Sequence, residues 1–73
     1  MAVVKVIELV GTSPNNWHEA VANAVAEASK TIRNITAVDV IHSSCDIQNN
    51  RIAQYKVNVK LSFMIERVTE SIA

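Results

Sequence analysis

Arg51 to Ile65 read RIAQYKVNVKLSFMI, and this stretch alternates apolar and polar side chains almost without a break. Side chains of a β-strand point alternately to its two faces, so the stretch predicts a strand with one buried face. The apolar face carries Tyr55, Val57, Val59, Leu61, Phe63 and Ile65. The polar face carries Gln54, Lys56, Asn58, Lys60, Ser62 and Met64. We therefore expect a strand from about Arg51 to Ile65 that covers a core on one side only.

A second strand is predicted just before it, from Ile35 to about Ile47, with the sequence ITAVDVIHSSCDI. The residues between the two, Gln48 to Asn50, predict a turn because asparagine tolerates left-handed backbone angles. The two strands should therefore form a long hairpin. Strict alternation places Asp39 on the same face as Ala37 and Ile41. An acid in the middle of an apolar run leaves two alternatives for that face, which is covered either by water or by another subunit.

The first half of the chain predicts one more strand and a helix. Val3 to Val10 is a β-branched run that ends at the only glycine, Gly11, and it should pair antiparallel with one of the other strands. Ser13 predicts the helix N-cap with Pro14 at the first helical position, and Thr12 is the competing cap. The helix should run from about Pro14 to Arg33, because apolar side chains recur at steps of three and four: Trp17, Ala20, Val21, Ala24, Val25, Ala28 and Ile32.

The predicted order is therefore β-α-β-β, an α+β fold in which a three-stranded antiparallel sheet packs against one helix. The tail ERVTESIA, from Glu66 to Ala73, extends the last strand, forms a short helix or is disordered. The 73 residues leave room for one domain, 1–73, and no linker. A chain this short buries only roughly 60% of its unfolded surface. Because 49% of its residues are hydrophobic and its single cysteine, Cys45, forbids an internal disulfide, we expect it to self-associate.

Charge and hydropathy exclude several classes of partner. Seven basic and seven acidic residues balance, and no basic stripe indicates a nucleic-acid surface. The apolar N-terminus carries Lys5 and Glu8, and it is too short and too charged to span a membrane or to resemble a signal peptide. With an unpaired cysteine, these features predict a cytoplasmic protein that binds neither nucleic acid nor membrane.

No group of residues in this sequence has the spacing that a catalytic site needs. His42, Ser44 and Asp46 have the composition of a hydrolase triad and share a strand face. Neighbours in that row stand roughly 6–7 Å apart, and serine lies between histidine and aspartate, whereas a triad needs histidine in the middle. Cys45 and His42 point to opposite faces, so they are not a thiolate pair. These three polar residues therefore predict the polar end of a strand, and the chain is not expected to be an enzyme.

Trp17 is a candidate for ligand binding. It could stack on a flat ligand, but a tryptophan in the first helical turn more often anchors a core or an interface, with its indole N–H bonded at the rim.

Oxygen-bearing side chains that could bind a metal ion are plentiful in the sequence, although none has the spacing of a calcium loop. A site for a hard cation such as calcium would therefore need residues that converge from several strands or subunits.

The sequence as a whole resembles that of the dodecin family. The resemblance covers about Val3 to Glu66 and depends on KVIELVGTSPNNWHEAVANAVAEASKTI, AVDVI and YKVNVKLSF. It implies a β-α-β-β fold with the sheet curled around the helix, and twelve identical subunits in a hollow shell of cubic symmetry. Asp39 would then face other subunits rather than bulk water.

Many dodecins bind flavins, and the resemblance places their ligand positions on this sequence. A stacking tryptophan falls at Ala37, a glutamine at Lys56, and two arginines at Ser44 and Met64. Ala37 has no π face, and each lost stacking contact removes about 0.5–1.5 kcal/mol beyond the buried area. Flavin binding is therefore expected to be weak. The chain is similar to tryptophan-less members, some of which are calcium dodecins, and Asp39 is our best candidate for a metal ligand.

These inferences lead to one expected function and two alternatives. The expected function is a non-enzymatic homododecameric shell that binds, stores or sequesters a small ligand or a divalent cation. The first alternative is a flavin-storing dodecin with a remodelled pocket. The second is a purely structural assembly.

Overall fold

The computed structural model describes residues 2–66 and confirms the β-α-β-β order. The elements are β1 (Ala2–Ser13), α1 (Trp17–Ala28), β2 (Ile35–Gln48) and β3 (Arg51–Glu66). The sheet is antiparallel throughout, and β3 lies between β1 and β2. Residues 67–73, where three alternatives were predicted for the tail, lie outside the described range.

The apolar side chains of β3 face the core, as the alternation of the sequence predicts. Val57, Val59 and Leu61 are fully buried and face the helix. Ala20 and Ala24 form the core with the two valines, while Leu9, Val21 and Val38 pack around it. The face of the sheet opposite α1, which we call the outer face, carries the polar residues of β3. The sequence therefore predicted correctly which side of the central strand covers the core.

The hairpin between β2 and β3 is as tight as the asparagines indicate. Gln48 pairs with Arg51, so only two residues form the loop. Asn49 and Asn50 have φ angles of 52° and 62°, the left-handed values that a turn matching the twist of the strands requires.

The predicted start of the helix is wrong by three residues. Ser13 is the last residue of β1, not the cap, and its buried hydroxyl accepts the backbone N–H of Asn15 at 2.9 Å. Asn16 is the N-cap, because its Oδ1 accepts the backbone N–H of Glu19 at 2.6 Å. Pro14 therefore lies in the turn between β1 and α1, where the chain changes direction before the helix begins.

The predicted end of the helix is also wrong. The helix ends at Ala28 rather than near Arg33, and the Ser29 hydroxyl donates to the carbonyl of Val25 at 2.8 Å. The apolar period continues to Ile32 because a turn, closed by the Ile32 N–H on the Ala28 carbonyl, still holds Ile32 half-buried. Asn34 then takes a φ of 62°, and its carbonyl accepts the N–H of Met64.

Strand β2 is irregular, and this overturns the expected placement of Ile41. Val40 pairs with Val59 and His42 pairs with Asn58, so Ile41 is an extra residue in a bulge. An extra residue reverses the alternation beyond it. His42, Ser44 and Asp46 therefore lie on the outer face together with Ala37 and Asp39, instead of opposite them.

The helix covers only part of the sheet. Its 12 residues span about 18 Å at 1.5 Å per residue, whereas the molecule is 60 Å long. Large apolar side chains are consequently exposed at both ends of the sheet and along the outer face of β1: Val3, Val4, Val6, Val10, Ile47 and Ile52.

Candidate ligand-binding face

The outer face consists of cross-strand rows that the register of β3 defines. One row is Val6, Ser62 and Ala37, and the next is Glu8, Lys60 and Asp39. Two further rows follow toward the hairpin, namely Val10, Asn58 and His42, then Thr12, Lys56 and Ser44. Directly opposed residues of an antiparallel pair lie close enough for their side chains to interact. The outer face is therefore polar along β3 and apolar along much of β1.

All four positions that match the family's flavin site lie on this face. Ser44 and Lys56 are direct partners across β2 and β3. Ala37 lies toward the other end of β2 and is exposed, and Met64 pairs with Val4 of β1. Within one chain these four positions extend from one end of the sheet to the other, so they do not enclose a pocket.

Lys56 has a partner that the sequence-based reasoning missed. Its Nζ lies 3.0 Å from Oδ1 of Asp46, whose other carboxylate oxygen accepts a 3.4 Å hydrogen bond from Gln54. Counting residues outward from the Asn49–Asn50 turn does not suggest this pair, because a register shift between Asp46 and Ile47 moves the partner of Asp46 from Ala53 to Gln54. The ion pair is about 40% exposed, so its contribution to stability is small. Its main effect is that Asp46 already neutralises the charge of Lys56, the residue that matches the glutamine of the family's flavin site.

His42, Ser44 and Asp46 do not have the geometry of a catalytic triad in the structure either. The bulge places all three on the outer face, but they follow one another along β2, and the Asp46 carboxylate is engaged by Lys56 and Gln54. Cys45 is half-buried on the helix side, opposite Tyr55, and so points away from His42 as predicted.

Asp39 is exposed, and Lys60 separates it from Glu8 in the same row. Among residues 2–66 the salt bridges are Lys30–Glu27 and Lys56–Asp46, so the Asp39 carboxylate makes none. Over the same range no three His, Cys, Asp or Glu side chains gather as a metal site. Because Ca²⁺ takes six to eight oxygen ligands, residues 2–66 of a single chain do not by themselves form a calcium site.

Trp17 lies at the hairpin end of the helix, beside the Ser44 position. Its ring makes an edge-on contact with Tyr55, with centroids 4.9 Å apart, and its Nε1–H donates to the Ser44 carbonyl at 3.1 Å. The predicted partner for the indole N–H is therefore present. Trp17 is 42% exposed, so within a single chain it is not a core anchor. A role at an interface stays a prediction.

Helices long and apolar enough to cross a membrane are not found in the part of the chain that the structure describes.

Three comparisons agree on the kind of protein that this chain resembles. The family described as dodecin matches residues 3–66. The calcium dodecin of Mycobacterium tuberculosis is 33% identical over 63 residues, which cover 86% of this chain and 89% of that protein. Dodecin from Streptomyces coelicolor has a TM-score of 0.88 at 36% identity, with 90% of this chain and 94% of that chain covered.

The crystal structure of the Mycobacterium tuberculosis calcium dodecin is also similar. Its TM-score is 0.79 at 30% identity, with 96% of this chain and 99% of that chain covered. That protein is described as a calcium-chelating antigen with a novel calcium-binding site. Relatives with and without calcium in their names are thus about equally similar to this sequence.

Proposed function

Because the chain belongs to the dodecin family, whose members are non-enzymatic and bind small ligands, we propose that it forms a hollow homododecamer of cubic symmetry that sequesters a divalent cation, foremost calcium. Dodecins typically form homododecamers. The observation that carries the cation proposal is the Asp39 carboxylate, which is exposed on the outer face and has no ion-pair partner among residues 2–66.

The cation site would be shared between subunits. One chain contributes Asp39, and symmetry would bring copies of the same carboxylate, or carbonyl and hydroxyl oxygens of neighbours, to complete the shell of six to eight oxygens. The name of the calcium dodecin relative supports this choice of ion. Sharing also fits the finding that no three acidic, histidine or cysteine side chains gather among residues 2–66 of one chain.

Asp39→Asn tests the proposal, because it removes one negative charge and leaves the side-chain size unchanged. We expect calorimetric titration to show at least tenfold weaker calcium binding, while native mass spectrometry still shows twelve chains. Glu27→Gln is the matched control, since Glu27 lies on the exposed side of the helix and should leave calcium affinity unchanged. Equal affinity in the Asp39 variant would remove Asp39 from the site, and no binding by the unmodified protein would remove the cation.

A flavin-storing dodecin is the second candidate, because all four matching positions share the outer face. The residues present do not fit a flavin well. Ala37 offers no ring to stack on, and Lys56 can only donate hydrogen bonds where an amide both donates and accepts. We therefore propose that riboflavin binds weakly, and that the purified protein is colourless.

A double variant tests whether stacking is the missing interaction. Ala37→Trp with Lys56→Gln should restore quenching of riboflavin fluorescence on binding, and Lys56→Gln alone should not. Tight riboflavin binding by the unmodified protein would contradict the proposal and point to another aromatic side chain. If the double variant and the cation titrations are both silent, the purely structural assembly becomes the better account.

A further inference from the structure

The bulge at Ile41 brings an imidazole and a carboxylate to neighbouring positions on the outer face. Asp39 pairs with Lys60 of β3, and His42 pairs with Asn58 in the next cross-strand row. Adjacent rows on one face are roughly 6–7 Å apart along the strands. In a regular strand, residues three positions apart would point to opposite faces. The bulge therefore places two metal-binding side chains together that simple alternation would separate.

Asn58 adds a third donor beside these two. It lies directly opposite His42 and diagonally opposite Asp39. Side chains in direct opposition across an antiparallel pair start about 4.5–5.5 Å apart, and diagonal ones about 7–8 Å apart. One ion above the face therefore has an imidazole nitrogen, a carboxylate oxygen and an amide oxygen within reach, all from a single chain.

None of these three side chains is already engaged. Asp39 and His42 are exposed, and Asn58 is half-buried. The side-chain hydrogen bonds and salt bridges formed among residues 2–66 involve none of the three. Lys60 stands opposite Asp39, but it is exposed and forms no salt bridge with it, so the carboxylate can bind an ion.

The donors select a class of ion. Ca²⁺ takes oxygen ligands, whereas imidazole nitrogen is a ligand of zinc, copper, nickel and iron. Zn²⁺ binds histidine nitrogen and aspartate oxygen at about 2.0–2.2 Å, and a site with three protein ligands leaves one position for water. We propose that His42, Asp39 and Asn58 bind a first-row transition metal ion, represented by Zn²⁺, on the outer face of each chain. The third donor is an amide, so the site needs no third acid, histidine or cysteine, and none gathers there among residues 2–66.

This site goes beyond the proposed calcium site, although both use Asp39. The calcium site would take its other oxygens from neighbouring subunits, whereas the zinc site takes its donors from one chain and does not depend on the shell. Zn²⁺ and Ca²⁺ should therefore compete for Asp39, and only zinc binding should depend on His42.

Calorimetric titration of the full-length chain with zinc chloride tests the site. We expect saturation at equal numbers of zinc ions and chains. His42→Gln should weaken zinc binding roughly tenfold or more, since even the loss of a hydrogen-bond partner of a metal ligand typically costs that much, and it should leave calcium affinity unchanged. His18→Gln is the matched control, because His18 is the other histidine of the chain and is also exposed. Cys45→Ser, which removes the only thiol, should likewise leave zinc affinity unchanged.

Asn58→Asp gives a second measurement in the opposite direction. It replaces the amide with a carboxylate of the same size, so it should strengthen zinc binding. Zinc affinity that His42→Gln leaves unchanged, or that Asn58→Asp fails to raise, would overturn the site.

The same titrations separate this site from the proposed calcium binding. Zinc binding that depends on His42, in a protein without calcium affinity, would support the zinc site and overturn the calcium proposal. Calcium binding that depends on Asp39, in a protein without zinc affinity, would overturn the zinc site and leave the calcium proposal standing.

Discussion

Gly11 sets the distance between the helix and the sheet. A Cβ at this position would overlap the carbonyl oxygen of Ala20 and lie 2.9 Å from the Cβ of Ala24. Its φ is not positive, so the glycine is required by the close approach of the helix rather than by the backbone angle. The buried alanines of α1 serve the same close packing, because any larger side chain would push the helix away from β1 and β3.

We therefore predict that Gly11→Ala destabilises the protein by about 1–3 kcal/mol, the range for overpacking a well-filled interior. Denaturant unfolding of the two proteins measures the difference. Thr12→Ala is the control one residue along, where the side chain is exposed and a change within about 0.5 kcal/mol is expected. Equal stability for Gly11→Ala would mean that the helix moves away without cost.

The charge of Glu19 makes the stability of the helix start depend on pH. Hydrogen bonds from the Ser13 hydroxyl and the Asn15 side chain, both 2.6 Å long, hold the pKa of the Glu19 carboxyl below its ordinary value of 4.5. A pKa that is lower in the folded state stabilises the fold above the unfolded-state pKa, and this stabilisation is lost as pH falls through the folded-state pKa.

The prediction is that Glu19→Gln lowers the melting temperature near neutral pH, and that the gap to the unmodified protein narrows as pH falls below 4.5. Melting curves over that pH range measure it. Thr12→Ala, which removes an exposed side chain with no titratable group, should show no such convergence. A gap that is constant with pH would mean that the hydrogen bonds do not depend on the charge of Glu19.

The N-cap of α1 and the Lys56–Asp46 ion pair are two features that sequence patterns did not predict. Three hydroxyl or amide residues, Thr12, Ser13 and Asn16, could each cap the helix, and local chemistry alone does not choose among them. Tertiary packing decides, because Ser13 is buried as the end of β1 and only Asn16 remains free to cap. The Lys56–Asp46 pair was missed for a related reason, since it depends on register across the hairpin rather than on neighbours in sequence.

Among the elements, the contact between the helix start and the hairpin holds α1 at one end. Trp17 makes the edge-on contact with Tyr55 of β3 and the hydrogen bond to the backbone of β2. One side chain thus links three elements, although it is partly exposed.

For Trp17→Ala we expect a loss of about 1–3 kcal/mol, which combines about 0.5–1.5 kcal/mol for the aromatic pair and a similar amount for the hydrogen bond. Trp17→Phe should lose about half, because it keeps a ring against Tyr55 but has no N–H to donate. Chemical unfolding of both variants gives the comparison. A much larger loss for Trp17→Ala, accompanied by dissociation of subunits, would place Trp17 in an interface.

Element types and their order were predictable because their periods are unambiguous: a period of two over β3 and a period of three to four over α1. The helix limits were not, because Ile32 continues the apolar period through a turn that is not helical. The alternation of β3 predicted that Lys56 and Met64 share a face. That Ser44 and Asp46 lie on the same face as Ala37 was not predictable, since the bulge at Ile41 leaves no mark in the sequence.

At the scale of the whole molecule, one chain has more apolar surface than its helix can cover. The 12-residue helix lies on a molecule 60 Å long, and valines and isoleucines are exposed on both faces of the sheet. Burial of this surface between copies would supply stability that the thin core lacks.

Stability should therefore depend on protein concentration. When folding is coupled to association, dilution lowers the apparent melting temperature by mass action. We predict a rise in melting temperature across a hundredfold increase in concentration, and a smaller rise for Ile52→Ser, which loses apolar area at the hairpin tip. Differential scanning fluorimetry over a dilution series measures both. A melting temperature independent of concentration would indicate that the lone subunit is already stable.

The bulge at Ile41 has a consequence for how this chain tolerates change in length. It shifts the alternation of side chains between the two halves of β2 by one residue, so that Asp39 before it and His42 after it lie on the same face of the sheet. Deleting Ile41 would remove the bulge without changing any pairing, because Val40 and His42 would then alternate as in a regular strand and His42, Ser44 and Asp46 would stay on the outer face. Deleting Ser43, which pairs with Val57, would instead turn Ser44 and Asp46 to the core side and Cys45 to the outer face as long as the bulge is kept.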